Sequence, residues 1–286
     1  MGYRGGVADD GEPRLLLVHA HPDDETITTG GTIARYAADG YQIAVVTCTL
    51  GEEGEIIPPA LAQLAAAEAD QLGGYRHGEL MAACAALGVR HHRYLGGIGR
   101  WRDSGMAGTP SANHPRALVG GSVTEQAAQL SAVIDELRPS VVISYDPSGG
   151  YGHPDHIRAH EITMAAAPAA DSVARVFHTI APATPVRQEL ARLREMAGVP
   201  FRLPADDELP VVADDRATTG IDISGHTGDK LRALAAHATQ VTVAGSGRPC
   251  FALSNGLAQP LLATEYFELV HGPRAGCEKD LFGGLS

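Results

Sequence analysis

Apolar residues along the chain alternate between short continuous runs and helical spacings. Arg14 to Ala20 is an apolar run bounded by Pro13 and Pro22 and predicts a buried strand. Glu25 to Ala38 then places Ile27, Ile33, Ala34 and Ala37 at helical spacing. A second strand is predicted over Gln42 to Thr49, after Gly40, followed by a Gly/Glu/Pro loop. Two helical stretches come next, roughly Ala60 to Leu72 and Gly78 to Leu87, stopped by Gly73 and Gly88. His91 to Leu95 fits a third strand. After a Gly-rich stretch from Gly96 to Gly121, Val123 to Leu137 predicts a helix and Ser140 to Tyr145 a strand of near-continuous apolar character. Ala174 to Ile180 fits a fifth strand; beyond it the pattern is less regular, with helices near Pro185 to Ala197 and Asp229 to His237. Strands alternating with helices imply an α/β, Rossmann-like fold: a mostly parallel, doubly wound sheet with helices on both faces.

Composition changes this picture only by exclusion. The formal net charge of −12 repels phosphate backbones and anionic headgroups, so neither nucleic acid nor a membrane is an expected partner. Four cysteines, Cys48, Cys84, Cys250 and Cys277, lie far apart without a CxxC pair, which argues against a disulfide framework or a cysteine zinc site. Met1 to Glu12 has no apolar core of a signal peptide and no run approaches the roughly 18 residues of a membrane span. The expected location is the cytoplasm. Nothing in the sequence sets an oligomeric state.

The candidate chemistry lies in two copies of one tripeptide. His21-Pro22-Asp23-Asp24 follows the first strand directly, and His153-Pro154-Asp155-His156 follows the strand that ends at Tyr145. In a doubly wound sheet of order 3-2-1-4-5, the first and fourth strands are neighbours, and the crevice at their carboxyl ends is where ligands bind. Two motifs about 130 residues apart therefore converge by topology. So much imidazole and carboxylate is costly to bury without a cation or a proton network, and a metal is the simplest account. Catalytic zinc takes three His or Asp/Glu ligands and keeps one position for water, and the set offers several such triples. His19 fits a packed position in the strand, while His237 carries no assignment. The turn after the first strand lacks GxGxxG, and no GxSxG or GxxxxGK[ST] occurs, which demotes dehydrogenase, serine-hydrolase and P-loop readings.

With AHPDDE at Ala20 to Glu25 and GHPDH at Gly152 to His156, the chain resembles the PIG-L/LmbE family of metal-dependent N-acetylglucosaminide deacetylases. TCTLGEEGE (Thr47 to Glu55), YLGG (Tyr94 to Gly97), GRWRDSGMAGT (Gly99 to Thr109), YDPSGGYGHPDH (Tyr145 to His156) and ALAAHATQV (Ala233 to Val241) resemble its mycothiol-biosynthesis branch, which acts on N-acetylglucosaminyl-inositol. Thr26 stands where the family usually has Ser. The stretch Ala166 to Thr219 looks shorter than the family norm.

The resemblance implies His21, Asp24 and His156 as metal ligands and Asp23 as general base. It implies Tyr151 as a donor to the developing oxyanion and His153, held by Asp155, as electrophile or proton donor to the leaving amine. Arg76, Asp103 and Glu55 are implied as sugar-binding residues, with Thr28 and Met106 as lesser ones. The expected metal is Zn2+, although His and carboxylate ligands also accept Fe2+ and other divalent ions. No other cofactor is expected; the partner is a small amino-sugar substrate. The expected organisation is a flexible N-terminus over 1–13, an α/β catalytic domain with the metal site over 14–182, and a smaller C-terminal part over 183–286 packing on the site. Two rival readings are a mycothiol S-conjugate amidase and a metal- or sugar-binding module without catalysis. Retention of Asp23, Tyr151 and His153, none needed merely to hold a metal, weighs against the second.

Overall fold

The computed structural model describes residues 14–244 and 248–285, so the expectation for residues 1–13 lies outside the described residues. Strand β1 (Arg14–His19) is buried along its whole length, because parallel neighbours flank it on both edges and helices cover both faces. Leu15 and Leu17 point to one face, Leu16 and Val18 to the other, and each pair enters a different core cluster. Helix α1 (Asp24–Ala38), β2 (Gln42–Thr47), α2 (Leu72–Leu87) and β3 (His91–Tyr94) follow. Next come α3 (Val123–Leu137), β4 (Val141–Tyr145), the single turn α4 (Gly149–Gly152), α5 (Pro154–Ala166) and β5 (Arg175–Ile180). Beyond them lie α6 (Ala183–Arg194), β6 (Thr219–Asp222), α7 (Thr227–Ala236), β7 (Thr242–Ala244), β8 (Cys250–Ala252), β9 (Gln259–Pro260) and β10 (Thr264–His271).

The large sheet has the order β3-β2-β1-β4-β5-β10-β6. The five strands β1 to β5 are parallel to their neighbours in the expected 3-2-1-4-5 order, whereas β10 pairs antiparallel with β5 and with β6. Strands β7, β8 and β9 form a separate antiparallel sheet. Thus β6 and β10, from the region beyond residue 182, extend the same sheet that carries the first half of the chain. No described helix is long and apolar enough to cross a membrane.

One helix is corrected. The stretch expected to be helical over Ala60 to Leu72 holds only a short 3-10 turn at Pro59–Leu64, and α2 begins at Leu72, running through Gly73 instead of stopping there. Gly73 is a contact residue: a Cβ on it would lie 2.8 Å from Glu52 Cγ and 2.9 Å from Leu50 Cβ. Its missing side chain lets the first turn of α2 press against the loop after β2, which a stop-signal reading of glycine does not reveal.

Candidate active site

Strand order reverses at β1, whose parallel neighbours are β2 on one edge and β4 on the other. Both HPD motifs leave the carboxyl ends of this pair, so the topological switch point gathers them. Asp23 caps α1 with φ 112° and ψ −31°, a conformation rare for a residue with a side chain. His153 caps α5, its Nδ1 accepting the Asp155 N–H at 3.1 Å, with Pro154 in the first helical position.

His21 Nδ1, Asp24 Oδ2 and His156 Nε2 form a triangle with all three edges 3.3 Å. Three donors about 2.0–2.1 Å from a common tetrahedral centre stand about 3.3–3.4 Å apart, so this donor set has the spacing a bound cation needs. Each imidazole is also oriented from behind. His156 Nδ1 lies 3.1 Å from the Gly149 carbonyl, and His21 Nε2 lies 3.2 Å from Asp155 Oδ2 and 3.5 Å from Asp103 Oδ1. With those nitrogens donating and both rings neutral, as ligation would require, the lone pairs of His21 Nδ1 and His156 Nε2 would face the centre of the triangle. Two other triples, His21/His153/His156 and His21/Asp103/Asp155, have ligand atoms within 4.8 Å of one another. They fit less well: His153 Nδ1 is engaged in capping α5, and Asp103 and Asp155 accept from the far side of the His21 ring.

The charges follow. Burial opposes it, but His156 and His21 hold the Asp24 carboxyl well below the ordinary carboxylate range. Burial likewise opposes the rise at His21, which Asp103, Asp155 and Asp24 carry well above the usual histidine value. Asp23 is pushed up to about 6 by burial, against the pull of Arg76 and with help from Asp24. His153 is lowered to about 3 by burial and by the neighbouring His21 and His156, so its ring is neutral at neutral pH.

The expected partner of His153 is corrected: the Asp155 carboxylate bonds His21 and the Ser104 N–H (2.9 Å), and only the Asp155 backbone reaches His153. The implied sugar-binding residues separate into two groups. Arg76 is buried, donating to the Gly51 and Pro22 carbonyls and pairing with Asp23 at 3.3 Å. Asp103 is buried too, accepting from the Glu53 and Gly105 N–H groups. Thr28 is half-buried on α1 and bonds the Asp24 carbonyl. By contrast Glu55 and Met106 (49 % exposed) are open to solvent, as is the implied oxyanion donor Tyr151 (53 % exposed). Trp101 is a core residue whose indole N–H donates to Gln129.

Sequence reasoning leaves three contributors unassigned. Tyr145 stacks on His156 at 4.2 Å and accepts the Ala20 N–H. Glu25 and His237 form an ion pair of 2.9 Å with both side chains fully buried. Their only signal is position: Glu25 ends the first motif, and His237 lies in the recognisable segment ALAAHATQV.

Residues 16–167 match the PIG-L family, described as GlcNAc-PI de-N-acetylase, which is more than half of the chain. This chain belongs to the PIG-L family. Within it, the chain is 63% identical over 275 residues to 1D-myo-inositol 2-acetamido-2-deoxy-alpha-D-glucopyranoside deacetylase of Actinosynnema mirum, covering 96% of this chain and 97% of that one. The protein of the same name from Saccharomonospora viridis is 59% identical over 271 residues, covering 95% and 100%. Among solved structures, N,N'-diacetylchitobiose deacetylase from Pyrococcus horikoshii shares the fold at 18% identity and TM-score 0.52, over 79% of this chain and 70% of that one. So does 4-carboxy-2-hydroxymuconate hydratase from Pseudomonas putida, at 20% identity and TM-score 0.56, over 91% and 97%. A deacetylase and a hydratase on one PIG-L-like fold leave the chemistry to be argued from the site.

Proposed function

We propose that this PIG-L protein hydrolyses the acetamide of N-acetylglucosaminyl-inositol to glucosaminyl-inositol and acetate in mycothiol biosynthesis, with one Zn2+ or similar divalent ion held by His21, Asp24 and His156. The observation that carries the reading is the triangle of donors 3.3 Å apart lying beside a buried carboxylate, Asp23, whose pKa is raised to about 6. The substrate is taken from the near full-length relatives. A cation at the triangle supplies Lewis acidity, which polarises a carbonyl and makes water more acidic.

Asp23, not part of the triangle, is the general base that takes the proton of the attacking water; a carboxylate with pKa about 6 is both ionised and basic enough near neutral pH. Arg76 orients it through the 3.3 Å pair. Neutral His153, whose Nδ1 is an acceptor, carries its proton on Nε2 and donates to the reacting amide. Tyr151 is the second donor, from the mouth of the site, as charge develops on the carbonyl oxygen. Asp155 supports His21. The C–N bond then breaks and the proton held by Asp23 passes to the amine.

Arg76, Asp103, Glu55, Thr28 and Met106 are the residues assigned to the sugar rings, Arg76 and Asp103 also holding the Asp23 and His21 side chains. The 183–286 part contributes by packing on the site through His237. A cytoplasmic location belongs to the same proposal, supported by four buried cysteines, all free.

The test is amine release by the metal-loaded protein from N-acetylglucosaminyl-inositol, free N-acetylglucosamine and a mycothiol S-conjugate, side by side. The first should have the highest kcat/KM, because contacts to the inositol ring lower the barrier at the acetamide. Faster cleavage of the conjugate would make the protein an amidase, and no turnover of any of the three would make it a binding module.

A further inference from the structure

Asp23 occupies a backbone conformation, φ 112° and ψ −31°, that a residue with a side chain rarely adopts and that persists only where its surroundings enforce it. Two restraints are visible. Arg76 donates to the Pro22 carbonyl and lies 3.3 Å from the Asp23 carboxylate. From the other side, Glu25 Oε2 accepts the Asp23 N–H at 3.0 Å. The remaining oxygen of that carboxylate, Oε1, accepts from Thr26 Oγ1 and faces His237 Nε2 at 2.9 Å.

Both members of the Glu25–His237 pair are fully buried, and a buried ion pair is a poor device for stability alone. The His237 ring has no hydrogen-bond partner on Nδ1, so its polar contacts are Glu25 and, at 3.4 Å, Thr26. The backbone that carries the ring is held in turn. His237 ends α7, and its carbonyl accepts the Gln240 and Val241 N–H groups. Two residues on, Thr239 donates through its N–H (2.8 Å) and its hydroxyl (2.6 Å) to Glu79, one turn after Arg76 on α2. One short segment, His237 to Gln240, therefore bonds Glu25 directly and grips α2, the helix that carries Arg76.

We propose that His237 and Glu25 are positioning residues for the reaction, a buried pair through which the C-terminal part of the chain fixes the backbone of Asp23 and aims its carboxylate. The proposal rests on Asp23 being the general base. Loss of the imidazole frees the Glu25 carboxylate to rotate, the Asp23 N–H loses its acceptor, and residue 23 relaxes towards negative φ. The carboxylate then swings away from the reacting water while the triangle of His21, Asp24 and His156 stays in place.

The test uses the full-length, metal-loaded protein with His237→Ala, the more conservative His237→Gln, and Asp23→Asn, singly and combined, assayed for amine release from N-acetylglucosaminyl-inositol. Metal content is measured by atomic absorption and folding by circular dichroism. For His237→Ala we expect kcat to fall by roughly tenfold to a hundredfold, part of the general-base contribution, with KM within about twofold and metal content unchanged. His237→Gln, which keeps a donor for Glu25, should recover part of the loss. In the Asp23→Asn background, already slow, His237→Ala should cost nothing further, because a residue acting only through Asp23 has nothing left to act on. A parental kcat in folded His237→Ala or, should that variant not fold, in His237→Gln overturns the proposal. So does the same fold-loss in the Asp23→Asn background, or metal loss in step with activity. A parental rate for Asp23→Asn alone overturns the general-base reading instead, and the two failures are told apart by that single variant.

Discussion

Replacing Asp155 by Asn removes one negative charge and almost no volume, and the structure says where the effect falls. The Asp155 side chain is fully buried; Oδ2 accepts from His21 Nε2 at 3.2 Å and from the Ser104 N–H at 2.9 Å, and Oδ1 has no partner. An amide can keep both bonds to oxygen, but a charge-assisted bond of about 1.5–3 kcal/mol becomes a neutral one of about 0.5–1.5 kcal/mol. His21 Nδ1, on the opposite side of the ring, becomes a weaker donor to the cation as its partner loses charge. The difference is about 1–2 kcal/mol, or about 5- to 30-fold in metal dissociation constant, at the lower end of the roughly 10- to 100-fold range for partners of metal-binding histidines. Competition of the purified protein against a chromogenic chelator for Zn2+ measures it directly. An affinity within threefold of the parent, while His21→Ala loses the ion, would show that Asp155 does not tune His21 and that the tautomer assigned here is wrong.

Other expectations follow from the same contacts. His156→Ala removes one corner of the triangle, and equilibrium dialysis should find less than one tenth of the parental metal bound at micromolar Zn2+. Lys230 Nζ lies 2.6 Å from Glu265, whose two oxygens also accept the Gly31 and Thr32 N–H groups of α1. Lys230→Met should cost about 3–5 kcal/mol in chemical unfolding, and adding Glu265→Gln should recover part of it; a Lys230→Met protein as stable as the parent would refute the pairing argument. His178 is buried with neither ring nitrogen hydrogen-bonded, Nδ1 standing 4.0 Å from Glu268, and burial together with His160 lowers it to about 4 against the pull of Glu268. Its folded-state value lies below the unfolded 6.5, so stability is complete above 6.5 and is lost as pH falls from 6.5 through about 4, by up to about 3 kcal/mol. His178→Phe should flatten that acid limb of the unfolding curve, and an unchanged limb would point to other groups. Gly73→Ala should destabilise by about 1–3 kcal/mol in spite of its better helix propensity, since the new Cβ meets Glu52 and Leu50 under 3 Å; a gain in Tm would count against the packing reading.

The central sheet was legible because its physics is local. A continuous apolar run such as Leu15 to Val18 suits a strand covered on both faces, and the alternation of such runs with helical spacings implies parallel order, which puts the ends of β1 and β4 side by side. The two HPD motifs, each just beyond one of those ends, therefore meet by topology alone. Local chemistry also explains why Pro154 begins a helix and why Gly88, with φ 78°, ends one.

What the sequence left open depends on contacts between distant segments. Antiparallel β10 and β6 are short or only weakly alternating, and the sheet they extend accepts them for edge hydrogen bonds that no local pattern records. Gly73 reads as a stop until the loop after β2 is laid against it. The resemblance implies a substrate role for Arg76 and Asp103, but that the fold also buries them against Asp23 and His21 is written in no local pattern: a carboxylate or imidazole in a closed crevice needs a partner there. His237 is one histidine among thirteen in the sequence. Only the packing of α7 on α1 and α2, which carries it 212 positions back along the chain to Glu25, gives its ring a partner and the Asp23 backbone an anchor.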